Sequence, residues 1–204
     1  MIAVALSSLA GFADALGFLA SGGFFVSFMS GNSTRLGVGL AFAPRLAAIA
    51  ASLILAFVLG VTVASLLRRA VPARRAAVTV LLAAVTLTLA AVVHRIAPPL
   101  VTLALIAAAM GAENVAFAIG GDVIGLTYMT GTLVKIGQRI ATALTGGDPW
   151  GWLLYALLWT SLISGGVLGA LAYQLLALDA LWVAAALTAS LALILWRLST
   201  SSQW

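Results

Sequence analysis

Two short polar runs stand inside an otherwise apolar chain. Met29-Ser30-Gly31-Asn32 is followed by Arg35, and Met129-Thr130-Gly131-Thr132 is followed by Lys135. Each run sets hydroxyl or amide side chains around a glycine. A helix interrupted there exposes backbone N–H and C=O groups, which an apolar environment tolerates only where protein or a water-lined cavity satisfies them. The helix restarting after each glycine turns its positive dipole end toward the break, a geometry suited to holding a polar solute or an ion. Asp14 and Glu113 are the carboxylates set deep in apolar stretches, and each needs a partner or a proton. Two readings stay open: structural pairing of Asp14 with Arg35 and of Glu113 with Lys135, or a proton or ion role. Arg35 and Lys135, one turn beyond the glycines, would attract an anion or snorkel to the nearest interface.

These features repeat. A shift of 100 residues lays Val26–Gly37 on Leu126–Gly137 without a gap, with three identities and six conservative exchanges among twelve positions. The same shift sets Gly11 on Gly111 and Asp14 on Asn114. Counting about 1.5 Å per helical residue from the Ser21–Gly23 turn puts Asp14 level with Ser30-Gly31-Asn32. The same count from Gly120 puts Asn114 level with Thr130-Gly131-Thr132. The candidate substrate-binding set is therefore Asp14, Ser30, Gly31, Asn32, Arg35, Glu113, Asn114, Thr130, Gly131, Thr132 and Lys135.

The elements that must position these residues are membrane helices. The 204 residues are 64% hydrophobic and 7% charged, too few charges to make a water-facing surface. Eight apolar stretches, about Ile2–Ala20, Phe24–Phe42, Leu46–Leu67, Ala76–Val93, Leu100–Ile119, Val123–Leu144, Trp150–Leu176 and Leu181–Leu198, lie between breakers such as Ser21-Gly22-Gly23, Pro44, Pro72, Pro98-Pro99 and Gly120-Gly121. The apolar start lacks the basic region of a secretory signal and reads as a retained first span. The ladders Ala56/Gly60/Ala64 and Ser161/Gly165/Gly169 read as helix contact faces, within a subunit or in a homo-oligomer. Trp150, Trp152, Trp182 and Trp196 fall near span ends, where indoles settle at the interface.

The Gly11-Phe12-Ala13-Asp14-Ala15, Met29-Ser30-Gly31-Asn32 and Met129-Thr130-Gly131-Thr132 segments resemble the YoaK-like family of uncharacterised bacterial membrane proteins, and the resemblance runs along essentially the whole chain. Ser30 departs from the more usual threonine. The resemblance implies a polytopic inner-membrane protein and leaves the activity open.

The fold class expected is an all-α, polytopic membrane helix bundle in one domain, 1–204, with repeat one at 1–97 and repeat two at 98–204. If Phe24–Phe42 and Val123–Leu144 dip in and return, the halves form a 3+3 inverted repeat. Arg68, Arg69, Arg74, Arg75, Lys135, Arg139 and Arg197 then share the cytoplasmic side, against Arg35, Arg45 and Arg95 outside, which suits the positive-inside bias better than eight crossings.

The net charge of +5 thus belongs to the membrane surface and not to nucleic acid. There is no cysteine for disulfides or thiolate metal sites. The chain carries no Walker-type loop, dinucleotide fingerprint or paired-histidine motif, so no cofactor is expected. His94 reads as a surface loop residue and Asp122 as solvated. The expected function is a small secondary transporter or channel for a small polar solute, with anions among the candidates. The alternatives are an intramembrane enzyme acting on a lipid-linked substrate and a membrane scaffold or sensor. Reporter fusions after Ser199 and between Ala70 and Ala73 should report the same side of the membrane; opposite sides would select the eight-crossing arrangement.

Overall fold

A computed structural model describes residues 1–116 and 127–201, with the backbone of Ala118–Ile119 and Asp122–Val123 between them; side chains are described to Ser199. Eight α-helices follow in order: α1 Ile2–Ser21, α2 Met29–Phe42, α3 Pro44–Ala70, α4 Arg75–Val93, α5 Pro99–Asn114, α6 Met129–Leu144, α7 Leu153–Leu176 and α8 Leu181–Ser201. Short 3-10 turns at Pro72–Arg74 and Ala177–Ala180 join α3 to α4 and α7 to α8. Ala118–Ile119 pairs with Asp122–Val123 as a two-rung antiparallel ladder.

The breakers act where the residue types require. Gly22 and Gly23 have φ of 70° and 117°, and their N–H groups close on Leu19 and Phe18 carbonyls, which ends α1 in a left-handed cap. Pro44 and Pro99 open α3 and α5 at a first-turn position where the missing N–H costs nothing.

Three expected stretches are shorter as helices than their apolar runs. The run from Phe24 becomes helical only at Met29, and in the second half Thr127 and Tyr128 are non-helical and α6 begins at Met129. The run from Leu100 stops at Asn114 and turns through Val115 and Ala116. At about 1.5 Å per residue, α2 with 14 residues and α6 with 16 fall short of a hydrocarbon core of about 30 Å.

Among the described residues, four stretches are long and apolar enough to cross a membrane: Ile2–Ser21, Pro44–Ala70, Pro72–Val93 and Leu153–Ser199, the last of which takes in α7 and most of α8. The outer faces carry exposed Leu55, Leu59, Val85, Leu168 and Leu171, while the core is dominated by alanine. That inversion of the usual soluble pattern needs lipid as its surroundings.

Helices at matching positions of the 100-residue register pack in matching ways. α1 lies along α7 and α5 along α3, while α2 folds onto α3 and α6 onto α7. The close approaches are equivalent. A Cβ on Gly11 would strike the Leu162 carbonyl, and one on Gly111 the Phe57 carbonyl. A Cβ on Gly165 would strike the Ser8 carbonyl, and one on Gly60 the Ala108 carbonyl. Both small-residue ladders are thus used inside the chain, where backbone meets backbone.

The equivalent helices α4 and α8 pack on each other and run antiparallel. At one end the Arg74 guanidinium lies 4.1 Å from the Trp196 ring centroid. At the other end Asp179 pairs with both His94 and Arg95. His94 is therefore not a free loop residue: its ring nitrogen sits 2.9 Å from the Asp179 carboxylate and its side chain is nearly buried. Trp196 likewise covers an arginine besides lying near a helix end.

Candidate functional site

The site begins with α1, which carries Asp14 seven residues before its last residue, or about 10 Å along the axis. Beyond Gly23 the chain turns back beside α1. The N–H groups of Val26 and Ser27 both donate to Asp14 Oδ1, each at 2.8 Å. The chain has thus returned about 10 Å before α2 begins. Asn32 then clamps the returning stretch: its Oδ1 accepts from the Phe25 N–H at 3.1 Å, and its Nδ2 donates to the Phe25 carbonyl at 2.6 Å. Two helical turns into α2, Arg35 is back at the end of α1, 5.0 Å from the Phe24 ring centroid and close to Gly23. Residues 22–28 and the first part of α2 therefore run in opposite directions.

The second half repeats the anchor with an amide. Asn114 Oδ1 accepts from the Thr127 N–H at 3.1 Å and from the Thr127 hydroxyl at 3.0 Å, while its Nδ2 donates to the Met110 carbonyl at 2.8 Å. The two anchors meet: the Thr127 hydroxyl lies 3.5 Å from the carbonyl of Ser27, its own counterpart in the repeat.

Around that contact is a cavity of about 420 Å³ lined by Ser27, Phe28, Met29 and Ser30 from one half and Thr127, Tyr128, Met129 and Thr130 from the other, with Phe57, Asn114 and Val115. Neither α2 nor α6 has a side-chain hydrogen bond capping its N-terminus. The first-turn N–H groups of a helix lack intrahelical acceptors, so both helices offer donors and a positive dipole end toward this cavity.

Of the candidate residues, Ser30, Asn114 and Thr130 line the cavity. Asp14 and Asn32 lie behind it as anchors of the returning chain, and the Thr132 hydroxyl bonds back to the Tyr128 carbonyl. Lys135 is exposed on α6.

The expected ion pairs do not form. Asp14 is engaged by backbone N–H groups and Arg35 by an aromatic ring. Glu113 is fully buried, and neither carboxylate oxygen has a hydrogen-bond partner among the described residues.

The glycines also act differently from the expectation. The non-helical stretch precedes them, and both sit in the first turn of their helices. A Cβ would press on the Phe28 and Phe25 rings at Gly31 and on the Tyr128 ring at Gly131, so glycine here admits the preceding aromatic side chain. Asp122 lies outside the residues whose side chains are described. Ser27 and Thr127 were missed as site residues, although their match in the 100-residue register was a signal for them.

Residues 2–194 match the protein family described as "Protein of unknown function (DUF1275)". The chain belongs to the DUF1275 family. It is also 34% identical over 183 residues, covering 89% of this chain and 79% of the relative, to the UPF0700 transmembrane protein RA0705 of Rhizobium meliloti (strain 1021). No solved structure matches the chain. With its long apolar helices, this DUF1275 member is a multi-pass membrane protein of an uncharacterised family.

The anchors lead to a direct test. Asp14→Ala removes the acceptor of two N–H groups and should cost about 1–3 kcal/mol, the penalty of stranding buried donors. Asp14→Asn should stay close to wild type, because Asn114 performs the same task in the other half. Thermal unfolding in detergent measures both, and an Asp14→Ala midpoint equal to wild type would remove the anchor role.

Proposed function

We propose that the protein is a small secondary transporter or channel for a small polar solute, acting in a bacterial inner membrane. In this reading residues 1–97 and 98–204 form a 3+3 inverted repeat, and each half contributes one re-entrant element: residues 22–28 with α2, and Thr127 and Tyr128 with α6. The antiparallel course of α4 and α8 supports the inversion, since equivalent helices of an eight-crossing parallel repeat would run the same way. The return of Arg35 to the end of α1 supports re-entry of α2.

The observation that carries the functional reading is the cavity of about 420 Å³ between the starts of two short helices, lined by matching residues of both motifs. In many transporters the substrate site lies at a repeat interface near mid-membrane and is formed by discontinuous helices. Here Ser30, Thr130, Thr127 and Asn114 supply side-chain hydrogen-bonding groups. The two converging N-termini favour a solute that presents electronegative atoms, including an anion. Asp14, Asn32 and Thr132 support the cavity walls, and Gly31 and Gly131 let the aromatic side chains close them. Arg35 and Lys135 stand outside as entrance charges. Glu113 is the group that would carry a proton if transport is coupled to a proton gradient.

Flux in proteoliposomes across a panel of small neutral, cationic and anionic solutes, with a pH-sensitive readout, tests this reading. Ser30→Leu and Thr130→Leu fill the cavity from opposite halves and should each reduce flux per folded molecule to a small fraction of wild type. Wild-type flux per folded molecule in both variants would place the pathway elsewhere or remove transport as the function.

A further inference from the structure

A second cavity lies at the end of the bundle that carries the arginine loop. It measures about 320 Å³ and is lined by Ser65, Arg68 and Arg69 at the end of α3, Arg75 at the start of α4, and Val115 just beyond α5. The fourth arginine of the loop, Arg74, is turned onto the Trp196 ring. Three arginine residues therefore line one cavity. Among the described residues the acid found in ion pairs is Asp179, whose partners are His94 and Arg95. Arg68 is only partly exposed as a residue, and its Nη1 is sealed from solvent with no hydrogen-bond acceptor among the described residues.

A desolvated guanidinium N–H without an acceptor is costly, and three like charges around one cavity add repulsion. An anion with several oxygens relieves both. A planar fork of N–H donors matches a phosphate group in particular, and a serine hydroxyl adds a further donor. Basic pockets between membrane helices at the cytoplasmic surface are suited to phosphate head groups. Exposed Val63 and Leu66 on the same stretch of α3 offer an apolar strip for an acyl chain.

We propose that the cavity formed by Ser65, Arg68, Arg69 and Arg75 is a binding site for a phosphate group, borne either by an anionic phospholipid or by a soluble phosphate. The site shares the wall residue Val115 with the central cavity but draws its arginines from outside it, and it stands or falls independently of transport.

Calorimetric titration of the protein in uncharged detergent, with short-chain phosphatidylglycerol and with inorganic phosphate as probes, tests the proposal. At least one probe should bind saturably, and Arg68→Gln should weaken that binding by about tenfold or more. Exposed Arg45→Gln and Arg139→Gln, remote from the cavity, should leave it unchanged. Binding of the lipid alone identifies a head-group site, and competition by inorganic phosphate identifies a site open to soluble phosphates. If Arg68→Gln does not purify as a monodisperse protein, the double variant Arg69→Gln/Arg75→Gln, altered at two exposed positions, decides. Absence of saturable binding by either probe, or equal weakening in the Arg45 and Arg139 variants, would overturn the proposal.

Discussion

The structure depends on how a chain that turns back among membrane helices satisfies its backbone. In apolar surroundings every N–H left without an acceptor costs several kcal/mol, so a non-helical stretch there requires an acceptor that is already in place. Asp14 supplies it for Val26 and Ser27, and Asn114 supplies it for Thr127. A carboxylate in one half and an amide in the other perform the same task because both present an oxygen at the same height on equivalent helices. With that acceptor in place, α2 and α6 can begin inside the bundle.

Helix packing makes room for this arrangement. Gly11 and Gly111 bring α1 and α5 against the backbones of α7 and α3, and Gly60 and Gly165 answer from the other side. Lipid supplies no hydrophobic drive for helices to associate, so close backbone approach and interhelical hydrogen bonds hold such contacts, as Ser7 does by donating to the Leu158 carbonyl at 2.9 Å. The repeat thus exchanges its outer helices pairwise, while α4 and α8 close on each other and are tied at their ends by Asp179 and Trp196. The residues just before α2 and α6 are left to meet at Ser27 and Thr127, where the central cavity lies.

Much of this was legible in the residues. Apolar runs with Gly or Pro breakers, and Asp179 between α7 and α8, mark the eight helices of the described residues, and the 100-residue register pairs Asp14 with Asn114 and Ser30 with Thr130. Charge counting offered pairing of Asp14 with Arg35 and of Glu113 with Lys135 as one of two readings, and neither pair forms: Asp14 accepts from backbone N–H groups, which no residue type announces, while Glu113 has no hydrogen-bond partner among the described residues. The glycines suggested the place of the break, yet the helices start two residues earlier; glycine there serves contact with an aromatic ring and not freedom of φ. The link from His94 and Arg95 to Asp179 spans more than eighty residues and has no local periodicity to reveal it.

The central claim is that polar residues from both halves bound a water-accessible cavity between the starts of α2 and α6. The chain contains no cysteine, so single cysteines can be introduced at Ser30 and Thr130, with Leu55 and Leu168 on the lipid-facing surface as references. Reaction with a membrane-impermeant thiol reagent, applied from each side of proteoliposomes, is the most direct measurement. The account predicts that Ser30→Cys and Thr130→Cys are labelled from at least one side while Leu55→Cys and Leu168→Cys are not. Ser30→Cys and Thr130→Cys as unreactive as the lipid-facing pair from both sides would contradict it.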